Sequence, residues 1–131
     1  MMYKEKTDFT LTFRKLASSL QNNQRKNDFF SLFDNKESSL KWYQKWNSRI
    51  KKEKQSQKVL LKKMNAVNPL FIPRNHLVEK AINEIVEKNN LSPLDDLLEV
   101  LKNPFTEKKN KSKFSRPPDN SEDIKNTFCG T

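Results

Sequence analysis

An all-α fold is what this sequence predicts, on three observations. Apolar residues recur at the spacing of a helix face in four or five separate segments. No stretch of useful length alternates apolar and polar residues as a half-buried strand would. The composition, 34% hydrophobic and 32% charged, suits amphipathic helices with a modest core and wide solvated faces.

The first element opens at Asp8, whose carboxylate can accept orphan amides at a helix start, and carries Phe9, Phe13, Leu16 and Leu20 on one face. The polar stretch 21–28, QNNQRKND, reads as a loop. Phe29, Phe30, Leu32 and Phe33 then form one or two helical turns. Ser38 and Ser39 offer the next cap, ahead of a stripe of Leu40, Tyr43, Trp46 and Ile50 with Trp42 alongside. The basic segment 51–63, KKEKQSQKVLLKK, continues or restarts a helix through Val59, Leu60 and Leu61 to Met64.

Residues 65–73, NAVNPLFIP, break the pattern, because Pro69 and Pro73 push the residues before them toward extended backbone. A long helix is expected from Arg74 to Lys88, with Leu77, Val78, Ala81, Ile82 and Ile85 facing inward. It closes at Lys88-Asn89-Asn90, a terminal cation followed by residues that tolerate the left-handed conformation. Ser92-Pro93-Leu94-Asp95 starts the last helix, with Ser92 as the cap, Pro93 at the first position and Asp95 in the first turn. Leu94, Leu97, Leu98 and Leu101 follow, and Asn103-Pro104 ends it. Beyond that point periodicity is lost, and KKNKSK and RPPD read as exposed loop and polyproline-like chain. The expected organisation is a helical region over 1–103 and an extended tail over 104–131.

Composition excludes several classes. One cysteine cannot form an internal disulfide, so a secreted disulfide scaffold is ruled out. No apolar run reaches the length of a membrane span, and the start, MMYKEKTDF, lacks the apolar region of a signal peptide. A cytoplasmic, reducing setting is expected. The net charge of +10 is one-sided: residues 1–63 carry 16 Lys+Arg against 6 Asp+Glu, and residues 64–131 carry 10 of each. Lysines outnumber arginines 21 to 5, so the side chain best built for bidentate phosphate and base recognition is scarce. A solvated basic helix face is favoured over a nucleic-acid site.

Catalytic constellations are missing. One histidine allows no His-rich metal cluster, and one cysteine allows no CxxC. A single glycine, Gly130, allows no P-loop, GxGxxG or kinase glycine-rich loop. No catalytic, cofactor-binding or metal-binding residue is therefore assigned. Asp95-Asp96 reads as helix-start electrostatics.

The block NPLFIPRNH (68–76) stands out, because two prolines rigidify a segment leading straight into a helix. Arg74 at that start opposes the helix dipole, so it needs a carboxylate or backbone carbonyls as partner. Arg74, Asn75 and His76 are read as a structural corner. His76 is expected to be a hydrogen-bonding structural residue, since the sequence offers it no evident nucleophile or carboxylate. The only Cys, Cys129, precedes the only Gly in the terminal TFCGT.

Taken together, DFTLTFRKL (8–16), the Trp42…Trp46…Arg49 helix, MNAVNPLFIPRNHLVEKAI (64–82), the leucine-rich helix closed by NPF, then RPPD and TFCGT resemble the C-terminal part of the selenoprotein O (SelO, bacterial YdiU) family. The resemblance runs over essentially the whole chain, and its specific parts are the NP-x-x-x-PRNH-x-x-x-x-AI block and the TFCGT end. It implies a protein-kinase-like, pseudokinase fold. It also implies a protein adenylyltransferase that binds ATP with Mg2+ and transfers AMP to Ser, Thr or Tyr hydroxyls of proteins. Family members are several-fold longer, and their nucleotide-binding and catalytic residues lie upstream of the DFT segment. None of those carries over, because the matching positions are absent. Cys129 matches the terminal position held by selenocysteine or cysteine in the family. The resemblance makes it a redox-active residue whose partner lies in the missing part.

Three readings of function follow. The first is the C-terminal region of such an enzyme, from a truncated or split gene and inactive alone. The second is a helical interaction module that docks on a separately encoded catalytic lobe. Its motivation is the pair of stripes Phe9/Phe13/Leu16 and Tyr43/Trp46/Ile50, which have no obvious mutual partner. The third is a basic nucleic-acid-binding helical protein, motivated by residues 51–63.

Overall fold

The computed structural model describes residues 2–119 and 121–122, which form helices, turns and extended connections with no strand among them. The chain divides into two compact units, Met1–Pro69 and Leu70–Thr131.

Short polar side chains start most helices of the first unit. After a single turn, α1 (Met2–Glu5), Asp8 accepts the Leu11 amide at 2.7 Å and opens α2 (Phe9–Ser18). The polar stretch 21–28, expected as a loop, is instead largely helical, forming α3 (Asn23–Phe30). Asn22 accepts the Arg25 amide at 2.9 Å there, and Phe29 is the one buried residue of the helix. Capping plus a single anchor replaces the apolar stripe on which the sequence reading relied. The next helix, α4 (Lys36–Lys52), is capped by Asn35 rather than by Ser38 or Ser39. The basic segment restarts: Lys54 takes a positive φ of 51°, and Ser56 caps α5 (Gln57–Val67). Helix therefore persists to Val67, into the stretch expected to break it, and Asn68 turns extended before Pro69.

Leu16, Phe29, Phe33 and Tyr43 make the core of this unit. Phe29 lies at its centre, with ring centroids 5.2 Å from Phe33, 5.4 Å from Phe30 and 5.6 Å from Tyr43. Leu16 and Tyr43, read from sequence as members of stripes without a mutual partner, thus share one core, whereas Phe9 stays 66% exposed against the Phe13 ring. Arg14 of α2 is buried, and its Nη1 donates to the carbonyls of Asn65 and Asn68 at 3.3 and 3.1 Å. Those carbonyls close α5, where partial negative charge gathers, so a buried guanidinium is well placed.

In the second unit, the extended segment after Pro69 is held by one carbonyl. The amides of Leu70 and Phe71 both donate to Pro104 O, at 2.7 and 3.1 Å. Arg74 is the N-cap residue of α6 (Asn75–Lys88), and Asn89 ends it in the left-handed conformation at φ 51°. The following α7 (Ser92–Leu101) has Leu91, not Ser92, at the cap position, and the Ser92 amide donates to Asn90 Oδ1 at 3.1 Å.

Phe71, Leu97, Val100 and Phe114 form the core of this unit. One inward assignment shifts, since Ile82 is 47% exposed. On α7 Leu97 and the fully buried Val100 turn inward, and Leu98 is 46% exposed. Within the stretch marked as an extended tail, Ser112–Phe114 make a 3₁₀ turn that buries Phe114. A lone aromatic in a lysine-rich run gives no periodic signal, so its burial was not visible beforehand.

Candidate functional site

The NPLFIPRNH block leads into the start of α6, where the proposed corner residues follow one another. Arg74 is buried, and its Nη2 donates to Ser115 O at 3.0 Å. Asn75 is the exposed first residue of the helix. His76 is 7% exposed, and both ring nitrogens are enclosed without a hydrogen-bond partner. The expected hydrogen-bonding histidine makes no ring hydrogen bond, because the charged groups around it are already engaged with one another.

The segment after the 3₁₀ turn supplies those groups. Asp119 Oδ1 accepts from the Ser121 amide at 2.9 Å, the Ser121 hydroxyl at 2.6 Å and the Glu122 amide at 3.2 Å. This turn brings Glu122 back onto Arg116 in two parallel bonds of 2.5 and 2.6 Å. The Arg116 guanidinium, helped by the Asp119 amide, holds the Glu122 carboxyl down to about 2. Burial pushes the His76 imidazole below its ordinary value; Glu122 opposes that and Arg116 reinforces it. The ring is therefore neutral near pH 7, with one donor and one acceptor unused.

His76, Arg116 and Glu122 line a cavity of about 240 Å³. Leu77, Pro93 and Phe114 give it apolar walls, and the Arg116–Glu122 pair lies at its edge. Beside it, Lys111 bonds Asp96 at 2.8 Å and Glu99 at 2.9 Å and lowers both carboxyls. Asp96 is thus an ion-pair partner, while Asp95 occupies the first turn of α7. Sequence reasoning found Arg74 and His76 but not Arg116, Asp119 or Glu122. The signals for these were the RPPD stretch, read from sequence as exposed polyproline-like chain, and the turn-forming residues that follow it.

Elsewhere the chemistry is thin. The lysines of the 51–63 segment are all exposed. Lys41, Lys45, Arg49 and Lys52 line one shallow, open groove along α4. Among the described residues no group of three or more His, Cys, Asp or Glu side chains could hold a metal ion. The one glycine, Gly130, falls outside the described residues, as does Cys129. No described helix is long and apolar enough to cross a membrane.

Comparison with known proteins gives a consistent result. Residues 1–102 match the family model described as "Protein adenylyltransferase SelO". The chain is 37% identical over 131 residues to "Protein nucleotidyltransferase YdiU" of Rhizobium meliloti, covering all of this chain and 27% of that protein. It is 39% identical over 130 residues to the protein of that name from Rhodopseudomonas palustris strain BisB5, covering 99% of this chain and 26% of the relative. The likeness to the Maridesulfovibrio salexigens protein is 32% over 131 residues. The chain spans about a quarter of the length of the curated relatives it matches.

Proposed function

The chain belongs to the SelO protein adenylyltransferase family, and on that premise we propose that it is the C-terminal helical region of such an enzyme. In this reading the whole protein has a kinase-like fold and moves AMP from ATP, with Mg2+, to protein hydroxyls. Nucleotide binding and catalysis reside in a lobe this chain does not contain. The observation that carries the reading is the coverage: nearly all of this chain aligns with only about a quarter of each relative. The physical chemistry agrees, since one glycine and one histidine cannot furnish a phosphate-cradling loop or a histidine-rich metal site. Cys129 would act in the same enzyme as a redox group, paired with a thiol of the absent lobe.

The test is ATP-dependent labelling. Purified chain incubated with labelled ATP, Mg2+ and a protein mixture is expected to transfer no AMP. Robust transfer by the chain alone would overturn the assignment.

The same residues support docking on a separately encoded catalytic lobe, favoured by Phe9, which stays 66% exposed against Phe13. Co-purification with a kinase-like protein supports that variant, and a monomeric chain that recovers no such protein counts against it.

A further inference from the structure

His76 is a buried polar group with an uncompensated cost. Buried donors and acceptors in folded proteins nearly always have a partner, so an enclosed imidazole bonded to nothing calls for an explanation. It lines the 240 Å³ cavity of the second unit together with the first turns of two helices. α6 contributes His76 and Leu77, and α7 contributes Ser92 and Pro93. Neither start is capped by a side chain of its N-cap residue, Arg74 or Leu91. Helix N-termini carry partial positive charge, so two of them at one cavity favour an anion; at α7 the Ser92 amide already donates to Asn90 Oδ1 and Pro93 has no N–H, so that start acts through its field alone.

The charged side chains agree once the paired ones are set aside. Asp96 is neutralised by Lys111 and Glu122 by Arg116. That leaves Lys80 and Lys113 on the cavity wall, and neither has an ion-pair partner among the described residues. Both are exposed residues, and the Lys113 ammonium lies 4.9 Å from the centroid of the Phe114 ring, one of the cavity walls. The imidazole can respond as well. Because it makes no hydrogen bond, a half-turn about its Cβ–Cγ bond breaks none, and the turn exchanges the positions of ring nitrogen and ring carbon.

We propose that this cavity is an anion site for a phosphate group, free or carried by a small organic residue. Lys80 and Lys113 supply charge, His76 supplies a hydrogen bond, and the starts of α6 and α7 supply a favourable field. Leu77, Pro93 and Phe114 would pack against an apolar portion of the ligand. The site uses side chains and helix ends rather than a glycine loop, and it stands independently of the AMP-transfer reading.

The chain's single histidine makes the test direct, because its ring resonances need no assignment. Inorganic phosphate is titrated into the full chain at fixed pH, with ionic strength balanced by chloride, while the His76 ring nitrogens are followed by NMR. A saturable, one-site shift is expected. The Lys80→Gln/Lys113→Gln double variant should bind about tenfold more weakly, as expected for loss of charge-assisted bonds. Both substitutions are at exposed positions, and an unchanged helical circular dichroism spectrum checks the fold. Phenyl phosphate binding more tightly than phosphate identifies an organic phosphate as the occupant; the reverse order identifies the free ion. Absence of a saturable shift, or undiminished affinity in the double variant, overturns the proposal.

Discussion

The two units are held together by different means. In Met1–Pro69 three phenylalanine rings and Tyr43 interlock with Leu16, and the outer surface carries the excess positive charge. In Leu70–Thr131 the core among the described residues is Phe71, Leu97, Val100 and Phe114, and polar pins join it: Arg74 on a carbonyl and Lys111 on two carboxylates. A core filled with rings excludes water and leaves nothing to recognise. One closed by ion pairs around a cavity keeps polar groups within reach of a ligand.

Removing the central ring of the first unit should have the largest effect. Phe29 is fully buried among four aromatic neighbours, so Phe29→Ala loses both transfer energy and ring contacts. A cost of about 3–5 kcal/mol is expected. Both tryptophans, Trp42 and Trp46, pack against this core and report its unfolding by fluorescence in denaturant. A loss below about 1 kcal/mol would mean that the ring cluster is not the support described.

The polar pins should each matter less. Arg74→Met removes the donor to Ser115 O but keeps an apolar stem, and about 1–3 kcal/mol is expected. Amide exchange at Phe114 reads it, because the second unit has no tryptophan. Arg14→Met is the matched experiment in the first unit, where two carbonyls lose their donor. If Arg14→Met changes tryptophan fluorescence stability as much as Phe29→Ala does, the division between ring-held and pin-held units fails.

The sequence displayed some of this and hid the rest for identifiable reasons. Helix starts at Asp8 and the left-handed stop at Asn89 were visible because each is a local event with its own residue preference. So was the need of Arg74 for a partner, a matter of helix electrostatics. α3 was hidden because its stability comes from Phe29 docking in the core, not from a stripe. Phe114 and the Arg116–Glu122 pair were hidden because they are brought to His76 by chain folding across some forty residues. No spacing rule encodes that approach. The specific NP-x-x-x-PRNH block nevertheless marked the place where these elements converge.

Acid should distinguish the units further. The His76 imidazole is held below its ordinary 6.5 by burial, so below that pH the unfolded chain takes up a proton that the folded chain refuses. Stability of the second unit should therefore be complete above pH 6.5 and decline as pH falls through the lowered value. His76→Gln should flatten that decline. Amide exchange around α6 and α7 between pH 7.5 and pH 5 measures it. An equal decline in the variant would shift the cause to another group.

The smallest expected effect concerns Glu122. Its carboxyl sits at about 2 instead of 4.5 because Arg116 donates two bonds to it. The contribution is present above pH 4.5, where the unfolded chain is also ionised, and is lost as pH falls through about 2. Both side chains are about a third or more exposed, so solvent screens the pair and little global stability rides on it. Glu122→Gln should leave the unfolding midpoint at neutral pH nearly unchanged. It should still release the segment that Asp119 folds against the cavity, seen as faster exchange of the Ser121 amide. Carboxyl carbon shifts of Glu122 in the unsubstituted chain should show titration well below that of a free glutamate. Titration at the ordinary value would remove the clamp from the account and leave His76 facing an open edge.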